Sequence, residues 1–161
     1  MKKYSRKKAQ VWSLDFIIAI AFFAISLTIY FKYAGQIFNE DEMNLEELRI
    51  EAASISSSLM TPGYPQDWNE SNVERIGIST DGSTISPEKL ESFRTISTSY
   101  EKTRKLLSAS HQYYIQLSNN STNISLSGLK YSATAKLIAT AEKIVLYNNS
   151  LFRLSVYSWE K

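Results

Sequence analysis

The chain has 161 residues, no cysteine, one histidine and a formal net charge of +2. With no cysteine there can be no disulfide, thiolate metal site or cysteine nucleophile, and His111 alone excludes a multi-histidine metal centre. The five glycines, Gly35, Gly63, Gly77, Gly82 and Gly128, are too scattered for a phosphate-binding fingerprint, and no cofactor motif is present.

Charge is unevenly placed. Residues 1–9 hold Lys2, Lys3, Arg6, Lys7 and Lys8 and no acid, so the +5 there leaves −3 for the remainder of a chain whose total is +2. An acidic body lacks the basic footprint that nucleic acid requires, so no nucleic-acid partner is expected. A basic start followed by an oily stretch points to membrane lipid instead. Val11–Phe31 is 21 residues with one charge, Asp15. As a helix it spans about 31 Å, close to the hydrocarbon thickness of a bilayer. Lysines before it, and Glu40, Asp41 and Glu42 after it, place the N-terminus in the cytoplasm and the C-terminal part outside.

An ordinary secretory signal carries its small-residue cleavage site after the apolar region. Here the small residue comes before it, in Lys7-Lys8-Ala9-Gln10. That junction, with the apolar run behind it, resembles the class III signal of archaeal type IV pilin-like proteins. The resemblance covers about residues 1–35. It implies a prepilin peptidase that cuts after Ala9 and leaves Gln10 first. It also implies an acidic residue near the fifth mature position, paired with the free amine of a neighbouring subunit. Asp15 falls at position six after a cut at Ala9 and at five after a cut at Gln10, one off the family register in the first case. The residues alone offer a second reading: Asp15 lies one turn into a helix, where the dipole favours a negative charge.

The helix is expected to run on, unbroken by proline, from Val11 to Leu59. Phe38, Leu45, Leu48, Ala52, Ile55 and Leu59 make one apolar stripe. Glu40, Glu42, Glu47, Arg49 and Glu51 sit opposite and read as a solvated face. Thr61-Pro62-Gly63 ends the helix. The chain then divides into a leader at 1–9, a transmembrane helix at 10–31, an amphipathic extension at 32–60 and an extracellular head at 61–161.

In the head, Tyr64 and Trp68 are expected to staple an irregular loop to the core. Val73–Ile78 alternates as a short strand, and Asp81-Gly82 is a turn. Ser86-Pro87-Glu88 starts a helix with Leu90, Phe93 and Ile96 facing inward. Tyr100–Leu107 is a second short helix. Gln112–Leu117 and Thr122–Leu126 pair as strands across a turn at Ser118–Ser121. Tyr131–Tyr147 is ambiguous: its alanines permit a helix and Ile144–Tyr147 favours a strand. Lys143–Tyr147, Asn148-Asn149 and Ser150–Trp159 then read as strand, turn and strand. Phe152, Leu154 and Val156 share one face; Arg153, Ser155 and Tyr157 share the other. The fold class is therefore α+β, a long helix packed on a small antiparallel sheet, pilin-like in outline.

No nucleophile motif accompanies His111, and Asp67, Glu70 and Glu74 read as surface acids, so no enzyme activity is expected. Five Asn-x-Ser/Thr sequons, at Asn69, Asn119, Asn120, Asn123 and Asn148, are candidate glycosylation sites, all in the outer part. Asn119, Asn120 and Asn123 are too close for all to be occupied comfortably. The leading reading is a filament subunit that associates with itself or with similar subunits. The alternative is an uncleaved, membrane-tethered binding or accessory module.

Overall fold

The computed structural model describes residues 6–37, 40–130 and 135–160, with side chains described from Leu14 to Ala34 and from Glu42 onward. The chain is α+β: α1 (Arg6–Ile37), α2 (Glu40–Leu59), α3 (Pro87–Ile96), α4 (Tyr100–Leu106), β1 (Gln112–Ser118), β2 (Asn123–Gly128), β3 (Ile138–Tyr147) and β4 (Ser150–Trp159). It divides into two compact units, residues 1–42 and 43–161.

The first unit is built on α1. Within it, Leu14–Ala34 is a 21-residue stretch of mean hydropathy 2.2, none of it buried. That length and composition suffice to cross a bilayer. The Thr28 hydroxyl donates to the Ala24 carbonyl at 2.8 Å, which satisfies a polar group that an apolar surrounding would otherwise leave unpaired. The expected unbroken passage from α1 into α2, and the Phe38 member of the stripe, lie outside the described residues.

In the second unit α2 is the spine. Leu48, Ala52, Ile55 and Leu59 are buried, at steps of four, three and four, while Met43 and Ile50 stay exposed. This is the apolar stripe read from the sequence, and Leu45 adds a half-buried turn to it. The helix stops where Thr61 folds back: its amide and hydroxyl both donate to the Ser58 carbonyl, at 3.0 and 2.7 Å. Gly63 follows with φ +81°, a conformation that costs a residue with a side chain.

Residues 73–78 do not form a regular strand. Ile76 and Ile78 are fully buried, so the alternation does mark a core-facing segment. Its backbone, however, is stitched to the end of α2 rather than to a neighbouring strand. The Ile78 amide donates to the Leu59 carbonyl at 2.8 Å, the Ser58 hydroxyl to the Ile76 carbonyl at 3.2 Å, and the Trp68 indole to the Gly77 carbonyl at 2.8 Å. Strand-like pairing in this region is confined to isolated bridges, Tyr64 to Arg75 and Ser79 to Ile85. Trp68 staples the loop as expected, but Tyr64 is 56% exposed and does not.

The turn that follows is held by Asp81. Its carboxylate accepts from the Ser83 and Thr84 amides at 2.8 and 2.6 Å and from both their hydroxyls. These donors, the Ser83 amide foremost, hold the carboxyl below the ordinary aspartate range. Ser86 then caps α3: its hydroxyl accepts from the Lys89 amide, Pro87 takes the first helical position, and Leu90, Phe93 and Ile96 are buried.

The four strands form one antiparallel sheet in the order β2-β1-β4-β3. Tyr113, Ile115 and Leu117 of β1, Phe152, Leu154 and Val156 of β4, and Val145 of β3 join Ala52, Ile55, Leu59, Phe93 and Ile96 in one core. The β3–β4 connection is the two-residue turn Asn148-Asn149, with φ +48° and +59°. Both residues tolerate the left-handed region that such a hairpin demands. A bulge lies between Ile115 and Gln116, and beyond it Gly128, at φ +95°, passes so close to β1 that a Cβ there would lie 2.2 Å from the Tyr113 carbonyl. The end of the β3 edge is closed by Ser83 and Ile85, bonded to Leu146 at 2.9 Å on either side.

Replacing Ile55 with alanine should destabilise the head by about 2–5 kcal/mol. The exposed neighbour Ile50, on the same helix, should tolerate alanine within about 0.5 kcal/mol. Urea melts of the full chain in detergent, followed by tryptophan fluorescence, measure both. Asp81 gives a pH test. Its folded carboxyl titrates below the unfolded one, so its contribution is present above about pH 4 and lost as pH falls toward the folded value. An NMR titration should find Asp81 still ionised at about pH 3, where an ordinary aspartate, near 3.9, is mostly protonated.

Candidate functional site

Three regions carry the residues singled out from sequence. The first is α1. Lys7, Lys8, Ala9 and Gln10 lie in its first turns, and Asp15 is exposed further along. The helix is already formed at Arg6, ahead of Val11, so Asp15 stands about 14 Å into it. The dipole acts within the first turn and does not reach Asp15 at that depth. A carboxylate there, at the head of an apolar run, needs water or a cation as its partner.

The second region joins α2 to β1, and here helical periodicity misleads. It puts Glu51 on the solvated face. In the structure the side chain is only 11% exposed and reaches the chain segment entering β1. One carboxylate oxygen accepts from the Ser110 and His111 amides at 2.8 and 3.1 Å, and the other pairs with the His111 imidazole Nδ1. Arg104 secures the same segment from the other side, donating from Nε to the Ala109 carbonyl at 3.1 Å and from Nη2 to the Ser110 carbonyl. The carboxylate thus satisfies donors that precede the first ladder bond of β1. A wheel projection cannot reveal this, because the partners lie 59 and 60 residues away. Through these contacts the pair clamps α2 to the segment entering β1.

The third region is the sheet face turned away from the core. It carries Tyr114, Gln116, Thr140, Glu142, Ile144, Arg153, Ser155 and Tyr157. Ser155 is on the expected face yet buried, beneath its neighbours: its hydroxyl donates to Glu142 at 3.2 Å, and Gln116 donates to the Tyr157 hydroxyl at 3.0 Å. Arg153 Nε faces Glu142 at 3.7 Å. At one end, Ile144 and Leu151 are 64% and 68% exposed. All five sequon asparagines are exposed. On the core side Tyr113 stacks on Tyr100 with ring centroids 5.3 Å apart, and burial raises both phenol pKa values above the ordinary range, which keeps them neutral. Asp67, Glu70 and Glu74 are exposed, and no group of three metal-ligating side chains occurs among the described residues.

No protein-family model, no curated protein and no solved structure matches the chain.

Glu51→Ala should cost about 1–3 kcal/mol, because two amides and an imidazole lose their acceptor together. His111→Ala should cost less, since the carboxylate keeps both amides. Amide exchange at Ser110 and His111 should accelerate in the first variant and stay slow in the second. Equal acceleration in both would remove the carboxylate from the centre of the clamp.

Proposed function

We propose that the chain is a structural subunit of a pilin-like cell-surface filament, held in the membrane by α1 until the leader is removed and then assembled through α1. One observation carries the reading. Leu14–Ala34 is wholly unburied, while the head closes a complete core with α2 and without that stretch. An apolar helix that the head does not use is a surface for lipid or for sister helices. The leader supports the same reading: +5 on the near side of the helix and acids beyond it set the head outside. Cutting between Ala9 and Gln10 frees an amine near Asp15, which supplies the cation that a carboxylate at that depth requires. The peptidase is then a transient partner, and lipid and sister subunits are the lasting ones.

N-terminal sequencing of cell-associated protein should begin at Gln10. Asp15→Ala should lower the yield of sheared filaments at least about tenfold, because stranding the neighbour's charge in apolar surroundings costs several kcal/mol. Membrane retention should not change. Recovery of the protein only from membranes, with residues 1–9 intact, would replace the filament with a tethered monomeric module.

A further inference from the structure

The topology gathers four of the five sequons at one end of the sheet. Strand β1 ends at Ser118, which pairs with Asn123 on one side and Arg153 on the other. The turn holding Asn119 and Asn120 and the hairpin turn at Asn148 therefore project from the same end. Helix α2 starts from the opposite end: Glu51 meets Ser110 and His111 before β1, and Ser57 meets Lys143 further along the sheet. The sequon end is thus remote from the point where Met43 joins the head.

At that end an open cleft of about 620 Å³ lies between the β1–β2 turn and the outer sheet face. Asn120 and Ser121 form one wall, and Ile144, Leu151 and Arg153 the other. Ile144 and Leu151 are among the most exposed large apolar side chains of the head, at 64% and 68%. Arg153 is offset by Glu142, so the floor has no strong field. An apolar strip bordered by a hydroxyl and a guanidinium suits the C–H face and hydroxyls of a neutral sugar ring.

The four asparagines are not equivalent. Asn119 spends its carbonyl oxygen on the Ser121 and Thr122 amides. Asn123 lies in the β2 ladder, and Asn148 adopts φ +48° in the hairpin turn. Asn120 sits at the exposed tip and lines the cleft. We propose that Asn120 carries an N-linked glycan whose first sugars lie across Ile144 and Leu151. In the attachment, the Asn120 amide nitrogen bonds to the anomeric carbon of a lipid-borne glycosyl phosphate. The anomeric C–O bond breaks, the phosphate leaves with the electron pair, and the amide gives up one proton. The inference rests on the outward orientation of the head proposed above.

The test uses full-length protein purified from its native membrane. Peptide mapping should find sugar mass on Asn120. Asn120→Gln and Thr122→Ala should abolish it, and Thr122→Ser should retain it. Hydroxyl-radical footprinting should then show loss of protection at Ile144 and Leu151 in Asn120→Gln, with exposed Ile50 labelled equally in both proteins. Sugar on Asn120 with Ile144 and Leu151 labelled alike in both would overturn the docking. An unmodified Asn120, in a head that protease cuts on intact cells, overturns the inference and leaves the filament reading standing. A head shielded from protease on intact cells brings down both.

Discussion

A helix of this kind cannot be left in water. Thirteen large apolar side chains between Leu14 and Tyr33 stand between 37% and 68% exposed. Burying one such side chain is worth roughly 1.5–3 kcal/mol. Even half of that, summed over the stretch, rivals the whole net stability of a small domain, about 5–15 kcal/mol. Such a stretch calls for an apolar cover, and the core of the second unit is built from its own residues.

The head builds its core on α2. Its stripe, Leu48, Ala52, Ile55 and Leu59, closes the core with residues of the second unit alone. The helix is then fixed at three places by different chemistry. Glu51 grips the start of β1, Ser57 accepts from Lys143 at 3.2 Å, and the Leu59 carbonyl takes the Ile78 amide. Apolar burial sets which face of α2 turns inward. The polar contacts set its position along the sheet, which burial alone specifies loosely because neighbouring turns of the stripe are chemically similar.

Local stereochemistry is what the sequence makes legible. Ser86-Pro87 caps α3 because the hydroxyl and the missing proline N–H both answer the same unpaired helix start. Asn148-Asn149 turns the hairpin because both residues accept positive φ. The stripe of α2 follows from its 3.6-residue period. Features that depend on partners distant in the chain are not legible in this way. Residues 73–78 carry the alternation of a strand, but alternation reports burial and not which backbone answers it; here the end of α2 does. Periodicity assigns Glu51 and Ser155 to outward faces, yet Glu51 is largely covered by the segment entering β1 and Ser155 is buried, because other groups close over them. The β1 bulge and the close passage of Gly128 leave no signal beyond a glycine.

Two apolar surfaces stand exposed among the described residues, and their sizes separate their meaning. Ile144, Leu146 and Leu151 form a local patch beside a paired Arg153 and Glu142. Patches of a few hundred Å² are ordinary on soluble proteins. Such a patch tolerates water, so its cover can be light and partly polar. The stretch from Leu14 to Ala34 carries charge only near its two ends, at Asp15 and Lys32. Between them any complete cover would be apolar on every side, as lipid is and as a bundle of apolar helices would be. The two environments differ mainly for Asp15. Near the interface it keeps water, whereas a bundle of helices removes that water and makes a fixed cation obligatory. A carboxylate at that depth would therefore be tolerated near water and costly in a dry bundle unless a cation were fixed beside it.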